Sequence, residues 1–341
     1  MKRSCLADWD FPTIGRQHRD RTRLTALLLA FALSVTCCLL RAQPVGAGGA
    51  PPILAGLGGP GYIAVDSAGD VIVADVLCAT TPPTAGGDCN IWMATPGAPG
   101  TYTKSLITAN AALVGGLFVD SSKNVYFMEP FTLYEETPKG PQGGAPWSQS
   151  SISCPSLVSP TGLAFGSPGG VYVADSRTNS IYSLGSPPSC ASPSVVVSGI
   201  DSLGPIAVDS SGNIYVASGG TVLKETRSGT TYTQSKVSGG FGSVKGIAVD
   251  SSLNVYISDG GGNVYEDSLC QGNYSQAVVY TPPSAPGGIA LDATNNIYVT
   301  ELLHGRVWKV PSQNGSTCAP PPPTGLSGTT VAIPPTKQPK G

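Results

Sequence analysis

An all-β fold built from six like units is what this sequence predicts, and three observations carry that expectation. First, one phrase recurs six times along the 341 residues. It is a small apolar strand ending in Asp, a turn, and a second apolar strand ending in an acid. The copies read GYIAVDSAGDVIVAD (61–75), GLFVDSSKNVYFME (116–129), GLAFGSPGGVYVAD (162–175), PIAVDSSGNIYVAS (205–218), GIAVDSSLNVYISD (246–259) and GIALDATNNIYVTE (288–301). Second, the first acid of each copy falls at 66, 120, 166 (a Gly in the third copy), 209, 250 and 292, in steps of 54, 46, 43, 41 and 42. A step near 42 holds about four strands. Third, no long stretch of the region spaces its apolar residues as a helix does. One copy cannot bury its apolar face alone, so the copies must stack on one another. A closed six-bladed β-propeller over about 52–311 satisfies all three.

Each strand is a run of Val, Ile and Tyr bounded by Gly, Ser, Asn and Asp. A third strand reads clearly in SIYSL (180–184), NVYED (263–267) and GRVWKV (305–310). An outer strand precedes the next copy in SVVVSG (194–199), QSKVSG (234–239) and QAVVYT (276–281). ILAG (53–56) has the same offset before copy one, while copy six has no clear successor of this kind. The segment either belongs to blade one or completes blade six, and the second placement is the expected one. Latching the ring this way removes exposed sheet edges.

GIAVDSSLNVYISDGGGNVYE (246–266) resembles the NHL repeat, and the resemblance runs over roughly 57–310. Four departures stand out: an insertion at 77–90, Gly166 for Asp, Ser218 for the second acid, and an Arg before the third strand only at Arg306. The expected function is an exported, non-enzymatic binding or scaffold propeller, of the bacterial type this phrase resembles, that holds a protein, peptide or glycan on one face of its ring. The resemblance also brings enzymes on related propellers into view. Peptide-amidating lyases hold zinc with histidines, and streptogramin lyases use a catalytic His. Gluconolactonase-like propellers hold a divalent metal with acid and Asn ligands. That last type, a metal-dependent hydrolase or lyase, is the alternative function. Beyond the N-terminal segment this chain has one His, His304, so a multi-His zinc centre cannot be built. It also lacks a G-x-S-x-G motif and a phosphate loop.

The flanks have a different composition. Lys2, Arg3, Arg16, Arg19, Arg21 and Arg23 precede the apolar run Leu24–Leu40, which is followed by Arg41 and Ala42. This reads as a signal peptide over 1–42, with an uncleaved membrane anchor as the rival. Residues 43–51 read as a linker, and 312–341, with four consecutive prolines, as a disordered tail. Removing 1–42 leaves 12 basic and 18 acidic residues, which disfavours nucleic acid as a partner. A monomer that is periplasmic, secreted or cell-surface is expected. Six cysteines remain, an even number that suits an oxidising compartment. Sequence proximity suggests Cys78–Cys89, Cys154–Cys190 and Cys270–Cys318 among the 15 pairings that six cysteines allow.

The candidate site residues come from the repeat itself. Nine positions after each first acid stand Asp75, Glu129, Asp175, Ser218, Asp259 and Glu301. Ring symmetry would gather these carboxylates on one face around the central opening, where they could bind a basic group. Asp75, Asp175, Asp259 and Glu301 would be the ligands if a hard cation such as Ca²⁺ were bound there, although no cofactor is the expectation. The competing reading has each acid accepting backbone N–H bonds in its own turn. His304 and Arg306 lie in or beside the matching loop of copy six. Asp75, Glu301 and His304 fall outside the apolar pattern, so their replacement is expected to spare the fold. The first-acid series reads as turn chemistry, with Gly or Asn at positive φ.

Overall fold

The structure, a computed structural model, describes residues 51–76, 89–111, 114–140, 146–166 and 170–312. All regular structure among them is strand. Blade 1 is β1 (Pro60–Val65), β2 (Val71–Asp75), β3 (Ile91–Pro96) and β4 (Tyr102–Thr108). Blade 2 is β5 (Gly116–Val119), β6 (Val125–Glu129), β7 (Thr132–Pro138) and β8 (Trp147–Ser153). Blade 3 is β9 (Pro160–Gly166), β10 (Gly170–Asp175), β11 (Ser180–Gly185) and β12 (Ser194–Ser198). Blade 4 is β13 (Leu203–Val208), β14 (Ile214–Ser218), β15 (Thr221–Ser228) and β16 (Thr231–Gly239). Blade 5 is β17 (Val244–Val249), β18 (Val255–Asp259), β19 (Asn263–Cys270) and β20 (Asn273–Tyr280). Each is an antiparallel meander in chain order.

Blade 6 has three strands of its own, β21 (Pro286–Leu291), β22 (Ile297–Glu301) and β23 (Arg306–Val310). Its outer place is filled from the other end of the described chain. Leu54 bridges Val307 in antiparallel fashion. The Ile53 N–H donates to the Val307 carbonyl at 2.8 Å, and the Val307 N–H donates to the Leu54 carbonyl at 3.0 Å. ILAG therefore completes blade six rather than joining blade one. The innermost strands β1, β5, β9, β13, β17 and β21 each neighbour the next, and β21 meets β1, so the ring is closed.

The core is divided among the blade boundaries. Six buried apolar clusters form, one between each pair of adjacent blades. Strand alternation explains this: successive side chains face opposite sides of a sheet, and here both sides meet a neighbouring blade. The second strands read as nearly continuous apolar runs and are buried throughout in four blades, as in VIVAD (71–75), and at all but the last residue in blades two and four. Leu54 and Leu57 enter the cluster that joins blades six and one, beside Ile63 and Val73. The latch thus adds apolar burial to its backbone hydrogen bonds.

The turns between first and second strands repeat one network. In every copy that has the first Asp, one of its oxygens accepts the N–H groups two and four residues on, as Asp209 does from Ser211 and Asn213, both at 2.9 Å. In copies four to six the second oxygen accepts from the Asn side chain and from a Tyr hydroxyl (Tyr215, Tyr256, Tyr298). The residue three after the Asp takes positive φ. It is Gly69, Gly212 or Asn295, but also Lys123 (67°) and Leu253 (66°). Gly and Asn were expected there; the side-chain clasp imposes the geometry on Lys and Leu as well. Two of these residues tie blades together: Lys123 reaches Asp70 (2.8 Å) and Asp66 (3.2 Å) of blade 1, and Asn295 reaches Asp250 of blade 5. The third copy has Gly166 because β9 runs on through it, and a Cβ there would lie 2.2 Å from Val208.

Cys154 and Cys190 form a disulfide, with Cα atoms 5.0 Å apart, inside the cluster between blades two and three. Cys89 and Cys270 are also disulfide-bonded. Their expected partners, Cys78 and Cys318, lie outside the described residues, as does most of the 77–90 insertion.

Two stability measurements check this architecture. Leu54→Ala should lower unfolding free energy by about 2–4 kcal/mol in urea titration, because Leu54 is buried in the closing cluster. A change under about 0.5 kcal/mol would show that the latch does not hold the ring. Replacing Cys154 and Cys190 together by Ser should cost about 3–4 kcal/mol, the loop-closure value for a separation of 36 residues.

Candidate functional site

The six residues at the ends of the second strands come to one face, as the repeat requires, but most turn away from the axis. Asp175 is fully buried. One of its oxygens accepts the N–H groups of Val158 and Ser159 (2.6 and 2.9 Å), and the other those of Arg177 and Thr178 (2.9 and 3.2 Å). Asp259 accepts from Ser243 and Gly261. Asp75 accepts the Gly59 N–H at 3.2 Å and the Trp92 indole at 3.1 Å. In each case the carboxylate fastens the segment leading into its own blade. Ser218 does the reverse, donating its hydroxyl to the Asp201 carbonyl at 2.7 Å. Glu129 differs from all of these. It is partly buried, its carboxylate makes no hydrogen bond among the described residues, and burial raises the carboxyl above the usual range.

The axis carries different chemistry from the expected acid ring. It is a cavity of about 60 Å³ bounded by the inner strands, with Gly116, Gly162, Gly246 and Gly288 beside Ile and Leu. Its lining includes Tyr62 and Lys245 but no Asp or Glu. The volume is well below the roughly 300 Å³ of an ordinary ligand site. Among the described residues no group of three or more His, Cys, Asp or Glu is placed to hold a metal ion. Asp75, Asp175, Asp259 and Glu301 are not brought together.

Copy six does gather its own residues. Glu301 is fully buried at the end of β22. Its Oε1 accepts the Ser284 hydroxyl (2.8 Å) and meets His304 Nδ1 (2.5 Å). Its Oε2 accepts the Trp308 indole N–H (2.8 Å), with an Arg306 nitrogen 3.9 Å away. Burial pushes this carboxyl up, but the bonds from Trp308, His304 and Ser284 outweigh it and hold it below its ordinary value. His304 and Arg306 remain half-exposed, and Leu303 is 72% exposed beside them. The result is a small half-exposed edge of His304 and Arg306 beside a buried carboxylate.

The two Trp partners were not foreseen in the sequence. Trp92 and Trp308 occupy matching places in the third strands of blades one and six, and each indole meets the acid of its own blade. Burying an indole N–H without an acceptor is costly, and at these two positions the adjacent strand's terminal acid supplies one. The assumption that Asp75 and Glu301 could be replaced without cost to the fold is corrected by the same contacts: both are buried hydrogen-bond hubs.

No protein-family model matches this sequence, and no curated protein is similar to it. Solved structures do share its fold. A gluconolactonase of Xanthomonas campestris is 13% identical, with a TM-score of 0.58 over 76% of this chain and 88% of that one. A putative gluconolactonase is 13% identical, with a TM-score of 0.56 over 79% and 94%. Virginiamycin B lyase of Staphylococcus aureus is 12% identical, with a TM-score of 0.50 over 74% and 94%. These likenesses establish the propeller architecture.

The roles of Glu301 and His304 separate by stability. Glu301→Ala should cost about 2–4 kcal/mol, because it strands buried donors, while His304→Ala should stay within about 0.5 kcal/mol. The sign with pH follows from the lowered carboxyl. Its contribution is full above the unfolded value near about 4.3 and is lost as pH falls below it. The stability gap between wild type and Glu301→Gln should therefore narrow on acidification, and a gap that widens would contradict the assignment.

Proposed function

We propose that this is an exported, non-enzymatic propeller of NHL-like type that holds a protein, peptide or glycan ligand on its ring. One observation carries the reading. The repeat-symmetric acids Asp75, Asp175, Asp259 and Glu301 spend their oxygens on their own blades, and the axis offers no carboxylate. Catalysis needs a convergent set of reactive groups with perturbed properties; a binding scaffold needs only a rigid frame and an irregular surface. His304 and Arg306 give copy six such a surface, suited to a carboxylate or other anionic group. Export is supported by the disulfides and by the basic-then-apolar N-terminal segment. Among the described residues no helix is long and apolar enough to cross a membrane.

A second reading is a metal-dependent hydrolase or lyase of the gluconolactonase type. It is favoured by the shared fold and by the names of the neighbours that share it. Glu129, partly buried and with no hydrogen bond to its carboxylate among the described residues, is the one acid of the series left free to act.

One screen separates the readings. Purified mature protein is subjected to thermal unfolding with divalent metals and sugar lactones, with and without chelator, and beside them oligosaccharides and short acidic peptides. The binding reading expects no chelator-sensitive shift and no lactone hydrolysis. It further expects a peptide- or glycan-dependent shift that His304→Ala/Arg306→Ala removes. Metal-dependent lactone turnover abolished by Glu129→Gln would establish the enzyme instead.

A further inference from the structure

One blade boundary breaks the sixfold pattern, on the face opposite to the second-strand acids. Between adjacent blades, the first strand of one contributes the residue two before the first-acid position, and the next blade answers with the residue one before it. At five boundaries this pair is Ala with an aliphatic residue: Ala64 with Val119, Ala164 with Val208, Ala207 with Val249, Ala248 with Leu291, and Ala290 with Val65. Between blades two and three it is Phe118 with Phe165. Tyr126, Phe118 and Phe165 stack in series, with centroids 4.7 and 5.7 Å apart. Phe165 stands 49% exposed, where the Val residues at the same place are partly buried. The rings line an open cavity of about 340 Å³, with Pro187 and Pro188 on one wall and Asp120 and Ser121 on another. Stability does not require such a gap, since Ala with Val closes the other boundaries.

We infer that this cavity is a docking site for the proline-rich end of the same chain, Pro334–Lys340. Four observations lead there. The described chain leaves blade six on the cavity's face: the Ser312 N–H donates to Asn296, in the same kind of turn that supplies Asp120. Beyond it lie 29 residues; with Cys318 paired to Cys270 as expected, the 16 from Cys318 to Pro334 can span up to about 53 Å. The ring, at about 260 residues, has an expected radius of gyration of roughly 18 Å. Reach is therefore ample. The composition also fits, because proline-rich segments preorganise as polyproline II and settle on aromatic-lined grooves. Finally, the charges are complementary. The 29 residues carry Lys337 and Lys340 and no acid, while the cavity has Asp120 on its wall and Glu135 bonded to the Tyr126 hydroxyl. Because the segment is tethered, weak affinity suffices. At an effective concentration of about 1 mM, a site with Kd near 0.1 mM is roughly 90% filled.

The test is tryptic cleavage after Lys337 in the full chain under native, non-reducing conditions, followed by mass. Wild type should be cut about tenfold more slowly than two variants: Phe165→Ala, which alters an exposed ring, and Pro334→Ala/Pro335→Ala, which leaves the ring of blades untouched. Equal rates for wild type and either variant would overturn the inference. Protection that weakens on dilution would also overturn it, by showing a second copy as the occupant. Displacement of the tail by an added neutral oligosaccharide, without release by the proline variant, would do the same in favour of a sugar.

Discussion

Close approach of the inner strands at the axis is the constraint on which the rest of this ring depends. A Cβ on Gly116 would lie 2.4 Å from Leu163 of the next blade, a distance no real contact tolerates. Gly246 stands in the same relation to Ile289. With neighbouring backbones this near, the Ala residues two before the first-acid position can mesh with the aliphatic side chains opposite them. Six wedge-shaped clusters then replace one central core. A wedge is stable only when both its blades are present, so the ring has to close. The chain closes it with two leucines and a short bridge.

Polar groups are arranged to serve this packing. On one face the first acids hold their turns and, through Lys123 and Asn295, reach the blade before. On the other, Asp75, Asp175, Asp259 and Glu301 fasten the segments that lead into their own blades. Buried carboxylates are costly unless hydrogen-bonded, and here backbone amides and two indoles meet that requirement. The oxygens of these four carboxylates are therefore largely spent within the ring. The departures from sixfold regularity are the His304–Arg306 edge and the Phe118–Phe165 boundary.

Much of this was legible in the residues. The six phrases gave the blade number, and the offset of ILAG placed the latch in blade six. The Asp-x-Ser-x-Asn spacing foretold the turns, because that chemistry is local. What sequence could not convey was orientation. Nothing local says whether Asp175 points to the axis or back onto Val158 and Ser159, a choice made by a segment 16 or 17 residues away. Positive φ at Lys123 and Leu253 ran against residue preference because the Asp clasp is worth more than the strain. The Phe pair went unnoticed because its members lie 47 residues apart and each reads as an ordinary strand residue. Aligning the six copies column by column would have exposed both.

The central claim is that the second-strand carboxylates are internal fasteners rather than a ligand-binding ring. Residue-resolved amide hydrogen exchange on the ligand-free protein tests it directly. Gly59, Val158, Ser159 and Ser243 lie outside the strands, yet their N–H groups should exchange far more slowly than those of exposed turns such as Ser121 or Ser251, because a buried carboxylate holds each. Exchange at open-turn rates at these four positions would contradict the account and return the acids to solvent and to a ligand.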